Sequence, residues 1–213
     1  YFHNELPFIN NWQGVSVFLD KCIDEKYLKY KSDFNVALII ESKAIKPNIY
    51  KKIFDLEKEF DLILTHDSEL LINFEDKAMM IPADTISIGP QFFGVNKNEK
   101  SKDISFNFSS KKTTAGHRLR HVIANDKDIK TNSLIDQLGS GPQNIRIVEK
   151  GEMIYPYKFS ISIENSIYNH YFTEKILDCF ISGTIPIYWG CPTIGNFFDS
   201  KGILKFENLK ELK

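Results

Sequence analysis

The sequence predicts an α/β fold made of two parallel-sheet lobes, each of about 100 residues. Three observations carry that expectation. Short apolar runs alternate with segments of helical spacing. The alternation lapses over residues 89–102 and then restarts. The 213 residues are 42% hydrophobic and 26% charged, a balance that supplies real cores and excludes a disordered or disulfide-stapled chain.

Taken in order, Val36-Ala37-Leu38-Ile39-Ile40 is a continuous apolar run of the kind a strand buried on both faces shows. A Pro47-started helix follows from Asn48 to Glu59, then a strand from Phe60 to Thr65. Asp67 caps a short helix to Asn73, and Met79 to Pro82 reads as another strand. The apolar stretch Val15 to Leu19 is a candidate for one more strand near the start. Gly89-Pro90, Gly94 and the polar run Asn96 to Lys102 read as a linker, which sets the lobes at residues 1–95 and 103–213. The second rhythm is a strand Ile104 to Ser109, a helix His117 to Asn125, strands Ile145 to Val148 and Phe159 to Ile163, a helix Thr173 to Ile181 and a strand Ile185 to Trp189. It closes with a short helix Ile194 to Phe198 and a strand Ile203 to Phe206. Ligands of such sheets bind beyond the carboxyl ends of strands, so the site is expected in a cleft between the lobes.

Net charge is −1, from 27 basic and 28 acidic residues, so no global field collects nucleic acid or anionic lipid and any anion site must be local. No apolar stretch is long enough to span a bilayer, and residues 1–20 lack a signal pattern. Cys22, Cys179 and Cys191 are scattered and odd in number, which reads as buried thiols in a reducing compartment. The expected location is cytoplasmic, with peripheral association at the inner membrane surface left open; the chain starts at Tyr1, so an earlier segment can have been removed.

Only three of the basic residues are arginine, Arg118, Arg120 and Arg146, so an arginine carries more information here than a lysine. The densest chemistry lies downstream. The strand Phe159 to Ile163 ends in Glu164-Asn165-Ser166, a polar loop follows, and Thr173 caps a helix whose first turn holds Glu174 and Lys175. Free amides at a helix start with a lysine beside them make a local phosphate site, and Glu174 can accept hydrogen bonds from a ribose diol. Gly190 and Pro192 then shape the turn after Thr184-Ile185-Pro186-Ile187-Tyr188-Trp189.

Glu164-Asn165-Ser166, Tyr171-Phe172-Thr173-Glu174-Lys175-Ile176 and Thr184 to Gly190, in this order and spacing, resemble the donor-binding signature of the α1,3/α1,4-fucosyltransferases, the family 10 glycosyltransferases. The resemblance is strong over residues 157–200 and weak elsewhere. It implies two Rossmann-like lobes of the GT-B type, here compact or truncated, that bind GDP-fucose mainly through the C-terminal lobe. It further implies transfer with inversion and no metal or other cofactor in the chemistry. Residue by residue, Glu174 corresponds to the ribose-binding glutamate and Lys175 to the phosphate-binding lysine. Asn165 and Tyr171 correspond to positions lining the nucleotide sugar, and Arg118 to the diphosphate arginine. Arg120, about 200° around the helix from Arg118, is expected at the surface. Pro47-Asn48 resembles the segment carrying the family's proposed catalytic glutamate, and Glu41, at the carboxyl end of the preceding strand, is the candidate base. Glu5 and Glu69 are less well placed.

Other patterns read as bland. Asp126-Lys127-Asp128 is a solvated polar stretch, His117 and His121 lack a third metal ligand, and Gly139-Ser140-Gly141-Pro142 is too short for a dinucleotide fingerprint and reads as a plain turn, with a loop near the nucleotide as the alternative. Asn107-Phe108-Ser109 has the form of a glycosylation sequon but lies in a strand. The implied partners are a nucleotide-sugar donor and a glycan acceptor. Two other readings stay open: a transferase of the same architecture using another nucleotide sugar, and a lobe that binds nucleotide or glycan without turnover.

Overall fold

A computed structural model of the chain describes residues 13–94, 99–140 and 149–213. Contacts divide it into two compact units, 1–83 and 84–213. In the first, a four-stranded parallel sheet runs in the order β1 (Val15–Leu19), β2 (Phe34–Ile39), β3 (Leu62–Thr65), β4 (Ala78–Met80). Helix α1 (Pro47–Leu56) opens with its proline in the first turn, where a missing N–H costs nothing. Helix α2 (Ser68–Asn73) is capped by Asp67, whose side chain accepts from the Leu70 amide at 3.0 Å. Ile49, Tyr50, Ile53, Leu56 and Leu70 from these helices bury the sheet face that carries Phe18, Ala37, Ile39 and Ile63. The opposite pleat carries Val15, Val17, Phe34 and Met79, all exposed.

The second unit holds five parallel strands in the order β6 (Ile135–Leu138), β5 (Lys102–Asn107), β7 (Tyr157–Ile163), β8 (Ile185–Trp189), β9 (Leu204–Lys205). Helices α3 (Ala115–Asn125) and α4 (Lys127–Thr131) contribute Ile123, Ala124 and Ile129 to a core with Phe106, Ile161, Ile163 and Trp189. Leu209 and Leu212 of α6 (Leu209–Leu212) pack against the same core. Helix α5 (Glu174–Ile181) contributes Ile176 to a second core with Phe172, Tyr188 and Ile203. Both faces of this sheet are therefore covered, as an all-parallel sheet requires.

One expectation is corrected. The division falls at Ala83/Asp84, not within 89–102, and the described residues of 84–101 belong to the second unit. The Gly94 amide donates to the Ile181 carbonyl at 2.8 Å, and Lys100 Nζ donates to the carbonyls of Tyr155 and Ser182 and to Thr184 Oγ1 at 2.6–2.8 Å. Polar composition concealed these contacts because the lysine points inward. The strand expected at Ile145 to Val148 lies outside the described residues, as do Glu5 and Pro142, whereas β6 was not anticipated. As an edge strand half-exposed along its whole length it has no continuous apolar run to read.

Candidate functional site

The chain leaves β5 for β6 on one side and returns to β7 on the other, so neighbouring strands β5 and β7 mark the point where the winding direction reverses. Crevices at the carboxyl ends of such a pair are where open parallel sheets bind ligands. A cavity of about 280 Å³ lies there, lined by Asn107 to Ser109 after β5, Ile163 at the end of β7, and Arg120, Lys150, Glu174 and Lys175. Gly139 and Ser140, read from sequence as a turn, line it too. Gly139 sits at φ +96°, and a Cβ there would come 2.6 Å from the Phe108 carbonyl oxygen, so the loop passes β5 closely only without a side chain.

The start of α5 is built around a buried carboxylate. Glu164, fully buried, accepts from the Thr173 amide at 2.9 Å through Oε1 and from the Thr173 hydroxyl at 2.7 Å through Oε2. Thr173 Oγ1 in turn accepts from Lys175 Nζ at 2.9 Å. Lys175 Nζ also lies 3.2 Å from Glu174 Oε1 and 3.7 Å from Glu164 Oε2. Burial pushes the Glu174 carboxyl up, but Lys175, Lys150 and Thr173 outweigh it and bring its pKa down to about 2. Glu174 is therefore an anion with an acceptor aimed into the cavity at any ordinary pH. Two glycines make room for Glu164: a Cβ on Gly190 would lie 2.4 Å from its Cγ, and one on Gly116 would lie 1.7 Å from its carbonyl oxygen.

Helix α3 places the two arginines otherwise than expected for Arg120. Its buried residues, Gly116, His117, Arg120, Ile123 and Ala124, form one stripe at helical spacing. Arg118 falls outside that stripe, exposed, donating to the Thr113 carbonyl at 3.1 Å, and does not line the cavity. Arg120, expected at the surface, is 6% exposed and lines the cavity. Its Nη2 donates to the Ile163 carbonyl and, at 3.1 Å, to Asn165 Oδ1, which ties α3 to the end of β7. Burial draws its pKa down against the opposing pull of Glu164 and Glu174, yet a guanidinium stays charged. Its other N–H groups make no hydrogen bond among the described residues. The missed signal was available: Ile123 and Ala124 place the core face of the helix, and Arg120 is on it.

Asn165 thus meets Arg120, and Tyr171 is 1% exposed beside Tyr168, with ring centroids 6.4 Å apart. Neither of these residues lines the cavity itself. Glu41, in the first unit, lies two residues past the end of β2 and is half-buried. Its backbone is fixed from two sides: Asp20 Oδ1 accepts from the amides of Ile40 and Glu41 at 3.0 and 3.3 Å, and the Glu41 carbonyl accepts from the Tyr50 hydroxyl at 2.7 Å. Asp20 holds φ at +42°, a left-handed conformation that aspartate tolerates better than most residues. Glu69 pairs with Lys43 on the surface.

The remaining sequence patterns have local partners. Asp126 caps α4 and pairs with Lys213 at 2.8 Å. His117 Nδ1 closes a capping box with Thr114, whereas His121 Nε2 lies 3.1 Å from the Lys111 carbonyl oxygen, so the two rings serve different contacts. Among the described residues no group of three His, Cys, Asp or Glu side chains could hold a metal ion, and no helix is long and apolar enough to cross a membrane. Cys179 and Cys191 are buried and Cys22 is partly so, all as free thiols.

The chain is 39% identical over 64 residues to an alpha-(1,3)-fucosyltransferase of Helicobacter pylori, a match covering 30% of this chain and 13% of that protein. It is 36% identical over 59 residues to an alpha-(1,4)-fucosyltransferase of Arabidopsis thaliana, covering 26% of this chain and 15% of that one. Among solved structures, an alpha1,3-fucosyltransferase with GDP-fucose aligns with 99% of this chain and 79% of its own at 16% identity and a TM-score of 0.59. A second alpha1,3-fucosyltransferase structure aligns with 84% of this chain and 59% of its own, at 21% identity and a TM-score of 0.55. These likenesses show a GT-B fold. Residues 97–212, more than half of the chain, match the pattern described as Glycosyltransferase family 10 (fucosyltransferase) C-term, and the chain belongs to that family.

Proposed function

We propose that this chain carries the donor site of a fucosyltransferase that moves fucose from GDP-fucose to a hydroxyl of a glycan, with inversion and without a metal ion in the chemical step. The observation that carries the reading is the cavity at the ends of β5 and β7, where Arg120, Lys150 and Lys175 share a wall with Glu174. Guanidinium and ammonium groups suit a diphosphate, and a carboxylate suits a pair of ribose hydroxyls. The curated relatives are named as fucosyltransferases, and one structural neighbour holds GDP-fucose.

As the bond between the sugar carbon and the β-phosphate oxygen breaks, negative charge accumulates on the departing GDP. Arg120 and Lys175 are fixed before the reaction by Asn165, Thr173 and Glu164, so they stabilise that charge with little reorganisation. Arg120 takes the role that the resemblance gave to Arg118. Inversion requires a base opposite the leaving group to accept the proton of the attacking hydroxyl. Glu41 is our candidate, held by its backbone at the end of β2.

Thermal melting with GDP, UDP and CDP tests the donor class, since a nucleotide at 100 times its dissociation constant adds about 2.7 kcal/mol. GDP should stabilise the protein and the other two should not; a preference for UDP would move the proposal to another nucleotide sugar. Transfer from GDP-fucose in the presence of a chelator tests the rest. Glu41→Gln should abolish transfer with GDP binding intact, and the absence of turnover with every GDP-sugar would leave only a binding module.

A further inference from the structure

Lys150 is outside the three motif segments that carry the resemblance, yet it lines the cavity. It begins a short 3₁₀ turn, Lys150–Met153, before β7, and the turn is seated by Gly151, where a Cβ would lie 2.1 Å from the Phe92 ring. Its Nζ contacts three groups: Glu174 Oε1 at 3.1 Å, Asp178 Oδ2 at 2.8 Å and Ser87 Oγ at 2.7 Å. Asp178 is fully buried one turn after Glu174 on α5. Its carboxylate is fixed in turn, accepting from the Ser87 amide at 2.7 Å through Oδ1 and from the Ser87 hydroxyl at 2.6 Å through Oδ2. Two carboxylates four residues apart repel each other, and Lys150 bridges them. Burial lowers the Lys150 pKa, but Glu174 and Asp178 more than compensate and hold it above its ordinary value.

We infer that Lys150, anchored by Asp178 and Ser87, is a positioning residue that fixes the Glu174 carboxylate for the ribose hydroxyls of the donor. The inference rests on the reading of Glu174 as the ribose acceptor. Glu174 Oε1 accepts from Lys150 at 3.1 Å and lies 3.2 Å from Lys175, Oε2 lies 3.5 Å from Lys175, and the carboxyl also meets the side chains of Thr173 and Asp84. The Lys150 contact helps set the plane in which the carboxylate would meet a hydroxyl. Ser87, just before the stretch whose composition reads as linker, thereby matters to the proposed donor site.

The test separates action through Glu174 from direct contact with phosphate. Lys150→Met should weaken GDP and guanosine by a similar factor, about tenfold. Lys150→Arg should restore most of the loss. In a Glu174→Gln background, Lys150→Met should cost less than about twofold more. Carbon-13 titration of the Glu174 carboxyl should move up from about 2 toward its ordinary value in Lys150→Met. Melting curves show whether each variant folds; if Lys150→Met does not, Lys150→Met with Asp178→Asn removes both buried charges, and Ser87→Ala probes the anchor alone. A loss confined to GDP, additive effects in the double variant, or an unmoved Glu174 titration overturns the inference. Failure of the ribose reading looks different: Glu174→Gln would then leave the preference for GDP over 2′,3′-dideoxy-GDP unchanged, while the titration would still report whether Lys150 sets the carboxylate.

Discussion

Two arginines two residues apart on α3 make opposite predictions when removed. Arg118 is exposed and makes one hydrogen bond, to the Thr113 carbonyl at 3.1 Å. Arg118→Ala should change stability by no more than about 0.5 kcal/mol and turnover by less than about twofold. Arg120 is buried against the cavity and carries two hydrogen bonds into the end of β7. Arg120→Lys keeps the charge but loses the planar fork, so one ammonium must serve Ile163, Asn165 and the leaving diphosphate together. If the guanidinium stabilises the developing charge, turnover should fall by about 10²–10³, equivalent to about 2.7–4 kcal/mol in the barrier. The assay is release of GDP from GDP-fucose at saturating donor, with GDP affinity measured alongside. A fall in turnover larger than the fall in affinity marks a group that matters more in the transition state than in the ground state. Loss of turnover in Arg118→Ala with full activity in Arg120→Lys would refute the assignment and return the role to Arg118.

Gly116→Ala pushes a Cβ to within 1.7 Å of the Glu164 carbonyl oxygen, a backbone atom that cannot swing aside; destabilisation of about 3 kcal/mol by denaturant unfolding is expected, against near-neutral behaviour for Gly195→Ala, whose site is open. His117 is held at a pKa of about 4 by burial and by the cations Arg120, Lys111 and Lys175. The unfolded chain binds the extra proton below pH 6.5, so the contribution of His117 is fully present above 6.5 and is lost between 6.5 and 4, at about 0.7–1.4 kcal/mol per pH unit; His117→Gln should flatten that part of the stability profile. Asp20→Ala strands the Ile40 and Glu41 amides and should cost about 2–3 kcal/mol. It should also reduce transfer to an acceptor with GDP affinity unchanged within about twofold, and an unchanged rate would argue against Glu41 as the base.

The legibility of this chain followed burial. Strand β8 was read with its observed bounds and the Asp67 cap of α2 with its observed role, because a run buried on both faces and a side chain bonded to its own turn are local in sequence. The start of α5, with Thr173 as cap before Glu174 and Lys175, was legible for the same reason. Strand β6 was not, since a half-exposed edge has no apolar signature. The polar stretch 89–102 reads as linker because the partner of Lys100, the Ser182 carbonyl, lies 82 residues away, which composition does not encode. The apolar period of helix α3 turns Arg120 inward, which a count of helical degrees from Arg118 does not convey.

The proposed donor site also gives a way for a chain of net charge −1 to offer a place for a diphosphate. Its cations Arg120, Lys150 and Lys175 face the carboxylates of Glu164, Glu174 and Asp178, with Asp84, whose carboxyl pKa is pushed up by burial and by Glu174, beside them. Charge in the empty site is therefore close to balanced, so no positive patch gathers stray anions. A bare phosphate would have to compete with Glu174 and Glu164 for Lys175. A nucleotide differs, because its ribose gives the Glu174 carboxylate new donors at the moment its phosphates take up the lysine. Ribose and diphosphate binding are then coupled through one ion pair. It follows that inorganic pyrophosphate should bind wild-type protein weakly and Glu174→Gln more tightly, whereas GDP should bind wild type more tightly than Glu174→Gln. Calorimetric titration of both ligands into both proteins reads the crossover directly, and parallel losses for the two ligands would show that Glu174 maintains the site without exchanging partners.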